Sequence, residues 1–255
     1  MPHSHPPERE LPALAGHGPA PGKDNLALPL ASRADERHGN QAARERVCEL
    51  CRLFWSQGWA SGTGGGIALR DGDTIYMAPS GVEKERLRPE DIFELDRQGH
   101  VTKAPPGARK LTACAPLFMA AFTHRDAGAV LHSHSLDVVL ASMLVPPGEP
   151  LRLTRLEMMK GLDGVGYFDV HEIPVIDNTA LEHELKERME AAVLAYPKAN
   201  AVIVRNHGVY LWGRDSVHAK TQAECLNWLC AATVRMHAAG IDHLAYDRSQ
   251  PDDVA

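Results

Sequence analysis

From Gln41 to Gln57 the apolar residues Val47, Leu50, Cys51, Phe54 and Trp55 recur at the spacing of one helix face, and Gly58 supplies a stop. Short alternating or apolar runs at Ile67–Leu69 and Thr74–Ala78 predict strands, and Asp71-Gly72-Asp73 between them predicts a hairpin. A second hairpin is predicted from Ile92–Leu95 and His100–Thr102 across Gln98-Gly99. Pro116–Thr123 reads as a helix with its proline in the first turn. Ala129–His134 reads as a strand and Leu136–Leu144 as a helix. Further on, Leu181–Ala195 is helical in pattern, Ala201–Val204 and Val209–Trp212 are strands, and Ser216–Ala238 is a long final helix. Strands and helices interleave without regular βαβ alternation. The expected fold is therefore mixed α/β, with a central, mainly antiparallel sheet and helices packed on both faces.

The first 40 residues break this pattern. They hold seven of the 18 prolines and no hydrophobic period, so they cannot bury enough apolar surface to offset the entropy of ordering. Residues 1–40 are expected to form a disordered tail, and residues 41–255 a single domain. The chain carries 27 Lys+Arg against 33 Asp+Glu, a net charge of −6, which argues against a nucleic-acid partner. No stretch approaches the ~18 uncharged apolar residues of a membrane span, and no cationic segment followed by an apolar one opens the chain. Five cysteines, an odd number in a long chain, do not make a disulfide framework. The expectation is a cytoplasmic protein.

Cys48-x-x-Cys51 falls within the first amphipathic helix with no second pair to complete a site, and Cys225 and Cys230 lie on the last helix. All four read as small buried hydrophobes. Gly62-Thr63-Gly64-Gly65-Gly66 is neither a P-loop nor a dinucleotide fingerprint, because no Gly-Lys-Ser/Thr follows and no strand precedes it. It is either a flexible turn or a nest of backbone N–H groups around an anionic oxygen. Ala78-Pro79-Ser80-Gly81 is a second small-residue turn at a strand end, and the Ser80 hydroxyl suits the same anion. His132-Ser133-His134 ends an apolar strand with two imidazoles two apart, which sends both to one face. With 14 histidines in the chain, such a pair is weak evidence by itself, and His3/His5 is another. His207 offers a third nitrogen at the end of the run Ala201-Val-Ile-Val-Arg-Asn. Three neutral imidazoles would leave a metal one open coordination position.

These segments resemble one family in order and content. Gly-Thr-Gly-Gly-Gly-Ile at 62–67, Ala-Pro-Ser-Gly-Val-x-Lys-Glu-Arg at 78–86 and Cys114-Ala-Pro-Leu-Phe-Met carry the resemblance. So do Gly128-Ala-Val-Leu-His-Ser-His-Ser, Glu157-Met-Met-Lys-Gly and Val204-Arg-Asn-His-Gly-Val-Tyr-Leu-Trp-Gly. Together they look like the methylthioribulose-1-phosphate dehydratases of methionine salvage, within the class II aldolase/adducin superfamily. The resemblance runs from about Ala43 to Gly240.

The resemblance implies one zinc ion per subunit on His132, His134 and His207, with Glu157 as catalytic acid/base and Cys114 lining the substrate site. It implies a hydro-lyase acting on a small sugar phosphate, and a homotetramer with active sites near subunit boundaries. The phosphate is expected at Gly64, Gly65, Ser80 and Gly81, with Lys160 a weaker candidate. Sugar-phosphate aldolases of the superfamily carry a glutamate ahead of their His-x-His, where this chain has Cys114. Two alternatives remain at this stage: a sugar-phosphate aldolase or epimerase, and a non-catalytic domain like the adducin head.

Overall fold

The computed structural model describes residues 39–107 and 109–245. The expected tail therefore lies outside the described residues, except that Gly39 and Asn40 already belong to the first helix. The helices are α1 (Gly39–Ser56), α2 (Ala115–His124), α3 (Leu136–Leu144), α4 (Lys186–Ala195) and α5 (Ser216–Ala238). The strands are β1 (Gly66–Asp71), β2 (Thr74–Met77), β3 (Phe93–Leu95), β4 (Val101–Lys103) and β5 (Ala129–Ser133). They continue with β6 (Leu151–Leu153), β7 (His171–Ile173), β8 (Val175–Ile176), β9 (Ala201–Val204) and β10 (Gly208–Gly213).

Eight strands form one sheet in the order β4-β3-β2-β1-β5-β10-β9-β8. Every pairing in it is antiparallel except β8 with β9. Both predicted hairpins form, the first turning through Gly72 and Asp73 between the paired Asp71 and Thr74. Strands β6 and β7 make a separate two-stranded ribbon, which the hydrophobic pattern did not predict. The predicted helix Leu181–Ala195 divides into a 3-10 turn at Glu182–Leu185 and α4.

Period-two alternation sorts the central strands between two cores. Leu131, Ile203, Val209 and Leu211 face one side, where Leu50 and Phe54 of α1 and Leu226 and Leu229 of α5 cover them. Val130, Val202, Tyr210 and Trp212 face the other, under Leu117 and Phe118 of α2 and Met189 and Val193 of α4. The predicted two-faced arrangement of helices is what forms. Asp215 caps α5 by accepting the His218 amide at 2.7 Å, satisfying one of the free amides of the first turn.

Cys48, Cys51, Cys225 and Cys230 are all buried and free, in agreement with their reading as small core residues. Among the described residues no helix is long and apolar enough to cross a membrane.

Candidate metal and substrate site

β5 is the centre of the site because it is hydrogen-bonded on both sides, with Gly66 of β1 and Tyr210 of β10 both in register with His132. His132 has the same parity as Val130 and so points to the α2/α4 side. Its ring stacks on Tyr210, with centroids 4.0 Å apart and planes 8° from parallel. Its Nδ1–H donates to the Val209 carbonyl at 3.0 Å, which leaves the Nε2 lone pair facing inward.

His134 follows the end of β5, and its amide is tied to the Trp59 carbonyl at 2.8 Å. His207 sits in the tight turn between β9 and β10, and its Nδ1–H donates to Asn178 Oδ1 at 3.2 Å. That turn needs Gly208, since a Cβ there would lie 2.0 Å from the Ser133 carbonyl oxygen.

The three Nε2 atoms converge. His134 Nε2 is 2.9 Å from His132 Nε2 and 3.2 Å from His207 Nε2. Two of the rings carry their proton on Nδ1, where it is hydrogen-bonded, so their Nε2 lone pairs face a gap that a cation would fill. Burial, followed by the neighbouring imidazoles, holds His132 well below the ordinary histidine range and His134 at about 4. Burial lowers His207 as well. Neutral imidazoles in this arrangement are the donor set a divalent transition metal takes.

One carboxylate stands beside these nitrogens, and sequence reasoning missed it. Glu182 Oε1 lies 3.5 Å from His132 Nε2 and 3.9 Å from His207 Nε2. It accepts the Cys114 thiol at 3.0 Å and, at short range, the Tyr210 hydroxyl. Burial first and the Glu182 charge second push the Cys114 thiol up to about 12, so at neutral pH it is a proton donor rather than a thiolate. Cys114 thus lines the site as expected. Cys114, His132 and Glu182 also lie close enough together to form a second metal-ligand grouping with the same histidine. No local motif marks Glu182. It arrives because the 3-10 turn leading into α4 packs against α2, which brings its carboxylate to Cys114 and Tyr210.

The other expected residues divide. Gly64 packs directly on the triad: a Cβ there would lie 2.5 Å from His134 Nδ1. Ser80 and Gly81 lie in the next turn, linked to the glycine loop through Lys84, whose Nζ bonds both Thr63 O and Val82 O. Glu157 is not brought to the triad within this chain. It opens a 3-10 turn (Glu157–Gly161) whose Met159 belongs to the core on the α1/α5 side, opposite the face His132 points to. Its side chain is 72% exposed and pairs with Lys160 at 3.0 Å.

The fold and the triad together define a mixed α/β domain built around three histidines that could hold a metal ion. The sequence profile of the class II aldolase and adducin N-terminal domain matches residues 45–234. The chain belongs to the class II aldolase and adducin family, whose aldolases are metal-dependent and whose members are typically oligomeric. It is 46% identical over 231 residues to the methylthioribulose-1-phosphate dehydratase of Osmerus mordax, covering 88% of this chain and 95% of that one.

It is also 48% identical over 210 residues to a protein of Arabidopsis thaliana named as a probable bifunctional methylthioribulose-1-phosphate dehydratase/enolase-phosphatase. There the match covers 77% of this chain and 41% of the relative, so the chain spans less than half of that protein. Among solved structures, an aldolase II superfamily protein from Pseudomonas syringae superposes with TM-score 0.65 at 18% identity, over 84% of this chain and 81% of that one. The L-fuculose-1-phosphate aldolase of Thermus thermophilus superposes with TM-score 0.60 at 20% identity, over 82% of this chain and 97% of that one. At such identities these two structures speak for the fold alone.

Proposed function

We propose that this protein is a zinc-dependent hydro-lyase that converts 5-methylthioribulose 1-phosphate to 5-methylthio-2,3-dioxopentyl 1-phosphate and water. Its place would be methionine salvage in the cytoplasm, as a homotetramer. The observation that carries the reading is the three-histidine cluster with Cys114 beside it, at the place where the superfamily's sugar-phosphate aldolases carry a glutamate. The likeness to the Osmerus mordax dehydratase over nearly its whole length supports the same substrate. The catalytic domain is residues 41–255, with residues 1–40 dispensable.

His132, His134 and His207 would hold the zinc. A bound zinc would act as a Lewis acid on the carbonyl and hydroxyl oxygens at C2 and C3. The C3 proton beside the carbonyl is then acidic enough for a carboxylate to remove. Glu157 takes this role, and once protonated it returns the proton to the departing C4 hydroxyl. Since Glu157 stands on an exposed turn away from its own triad, we assign it to the site of an adjoining subunit. Glu182 holds Cys114 and Tyr210 in place by accepting both of their protons in hydrogen bonds. Gly64, Gly65, Ser80 and Gly81 would receive the phosphate.

Incubating the zinc-loaded protein with methylthioribulose 1-phosphate tests the reading. The dioxo product and no carbon–carbon cleavage are expected. Release of dihydroxyacetone phosphate would instead identify an aldolase, and no turnover with no bound metal would favour a non-catalytic domain.

A further inference from the structure

Lys84 is among the most deeply buried side chains of the molecule, 2% exposed. It opens the 3-10 turn Lys84–Arg86, and its ammonium reaches back toward the glycine-rich loop. There it donates to Thr63 O at 3.0 Å and to Val82 O at 3.3 Å. An ammonium has three donors, and the third meets no acceptor among the described residues. Nor does any carboxylate among the described residues form an ion pair with it. Its electrostatic neighbours are the Cys51 and Cys114 thiols and the His132 and His134 rings, which are neutral, and Glu85, which lies beyond ion-pair distance.

A buried charge with no opposite partner is costly, and burial accordingly draws this amine below the ordinary lysine range. The two carbonyls that hold it belong to the two small-residue turns, one ending β2 and one leading into β1. In the latter, the Thr63 and Gly65 amides donate to no protein group among the described residues. Gly62 and Gly65 adopt φ of +65° and +72°, a left-handed conformation that glycine takes without strain. The loop is therefore a cradle of free amides with a cation fixed behind it, and it touches a metal ligand through Gly64.

We propose that Lys84 is the built-in counter-charge for a phosphate monoester seated in the Gly62–Gly66 loop. It pins the loop through Thr63 and is itself balanced only when the anion is bound. The inference rests on the sugar-phosphate reading above and adds a specificity residue to it: the site selects a phosphorylated substrate because an unphosphorylated one leaves Lys84 without an opposite charge.

The test compares zinc-loaded wild type, Lys84→Met and Lys84→Gln in the full chain, with inorganic phosphate as the probe. Wild type should gain thermal stability with phosphate and be inhibited by it competitively. In Lys84→Met the anion-free melting temperature should stay level or rise, and the phosphate-dependent gain should vanish. KM for methylthioribulose 1-phosphate should climb on the order of 30-fold or more, the effect of removing one partner of a buried charge pair. Metal content should be unchanged and kcat within about fivefold.

A phosphate response and KM that survive in both variants would overturn the proposal. So would a fall in anion-free stability with the phosphate response intact, which would make Lys84 a structural tether. Failure of both variants to fold would overturn it in the same way. If wild type does not turn over methylthioribulose 1-phosphate, the substrate reading fails. The loss of phosphate stabilisation in the variants then still decides the role of Lys84.

Discussion

The histidine cluster and the Glu157 turn are built in opposite ways. His132 is held by ladder bonds on both sides, by the Val209 carbonyl and by the stacked Tyr210 ring. Glu157 opens a five-residue 3-10 turn, and its contact among the described residues is a solvent-exposed pair with Lys160. The histidine cluster is complete inside one chain, whereas the Glu157 turn faces outward. Metal ligands must be positioned to within a fraction of an ångström before the metal arrives, and central strands provide that rigidity. A proton carrier on an exposed turn gains its geometry from whatever packs over it. The comparison teaches that one half of the proposed chemistry is a property of the domain and the other half of the assembly.

The largest effect should come from breaking the rigid half. His207→Ala removes one of three converging nitrogens, and the zinc should be lost on dialysis against a chelator. Activity should fall further than the roughly 10²–10⁴-fold typical of a lost general base. Circular dichroism should remain that of the wild type, because the turn still closes on Gly208. A His207→Ala protein with stoichiometric zinc and near-normal turnover would mean that another group completes the site.

Glu157→Gln should cost about 10³-fold in kcat with KM and zinc content nearly unchanged, since the amide keeps the shape but cannot accept the C3 proton. Exchange of that proton with solvent should stop as well. Mixing this variant with His207→Ala subunits sharpens the comparison. If Glu157 serves a neighbour, the mixed oligomers recover activity that neither parent has. If activity does not return, each chain uses its own Glu157, and the turn must move to reach the triad.

Much of the rigid half was legible in the sequence, for a physical reason. The period of α1 and α5, the run at β9 and the Asp-Gly hairpin are local signals, and His-x-His on a strand end already sends both rings one way. β6, β7 and β8 were not legible because strands of two or three residues, such as Leu151–Leu153 and Val175–Ile176, do not complete an alternation, and no hairpin turn marks them as Gln98-Gly99 marks the equally short β3 and β4. Glu182, Tyr210 and Lys84 were missed for another reason. Tyr210 reaches the site through its register with His132, Glu182 through the path into α4, and Lys84 by turning back under the glycine loop. None of these follows from spacing along the chain. Glu157 was legible by resemblance alone, and its position in one chain explains why residue patterns gave no account of it.

A smaller effect is expected where the two halves meet. Glu182→Gln takes the charge off the oxygen that Cys114 and Tyr210 now share, which weakens both hydrogen bonds, and puts an NH2 donor in place of the second carboxylate oxygen. Activity should drop roughly 10- to 100-fold, as for other groups that orient metal-site residues. Tyr210→Phe removes one donor and should cost less. A loss in Glu182→Gln as deep as that in Glu157→Gln would move the proton-transfer step to Glu182 and dissolve the contrast drawn above.

The smallest expected effect is an absence of reaction. Burial pushes the thiols of Cys51, Cys114 and Cys230 up to about 12 and that of Cys48 to about 11, and it raises Cys225 too. A raised thiol pKa means that the thiolate, the reactive form, is scarce below the shifted value. At pH 8 the folded protein should therefore leave a disulfide reagent such as DTNB almost unconsumed, and all five thiols should titrate in denaturant. The same measurement reports on the site. Among the described residues Cys114 is the thiol that donates to a carboxylate at the triad, so Glu182→Gln, which removes that charge, should lower its pKa and make it react faster than in wild type, with burial still holding it up. If a thiol other than Cys114 is the one exposed to reagent in that variant, the substitution has loosened the core instead, and its cost in activity could not be assigned to the orientation of Cys114.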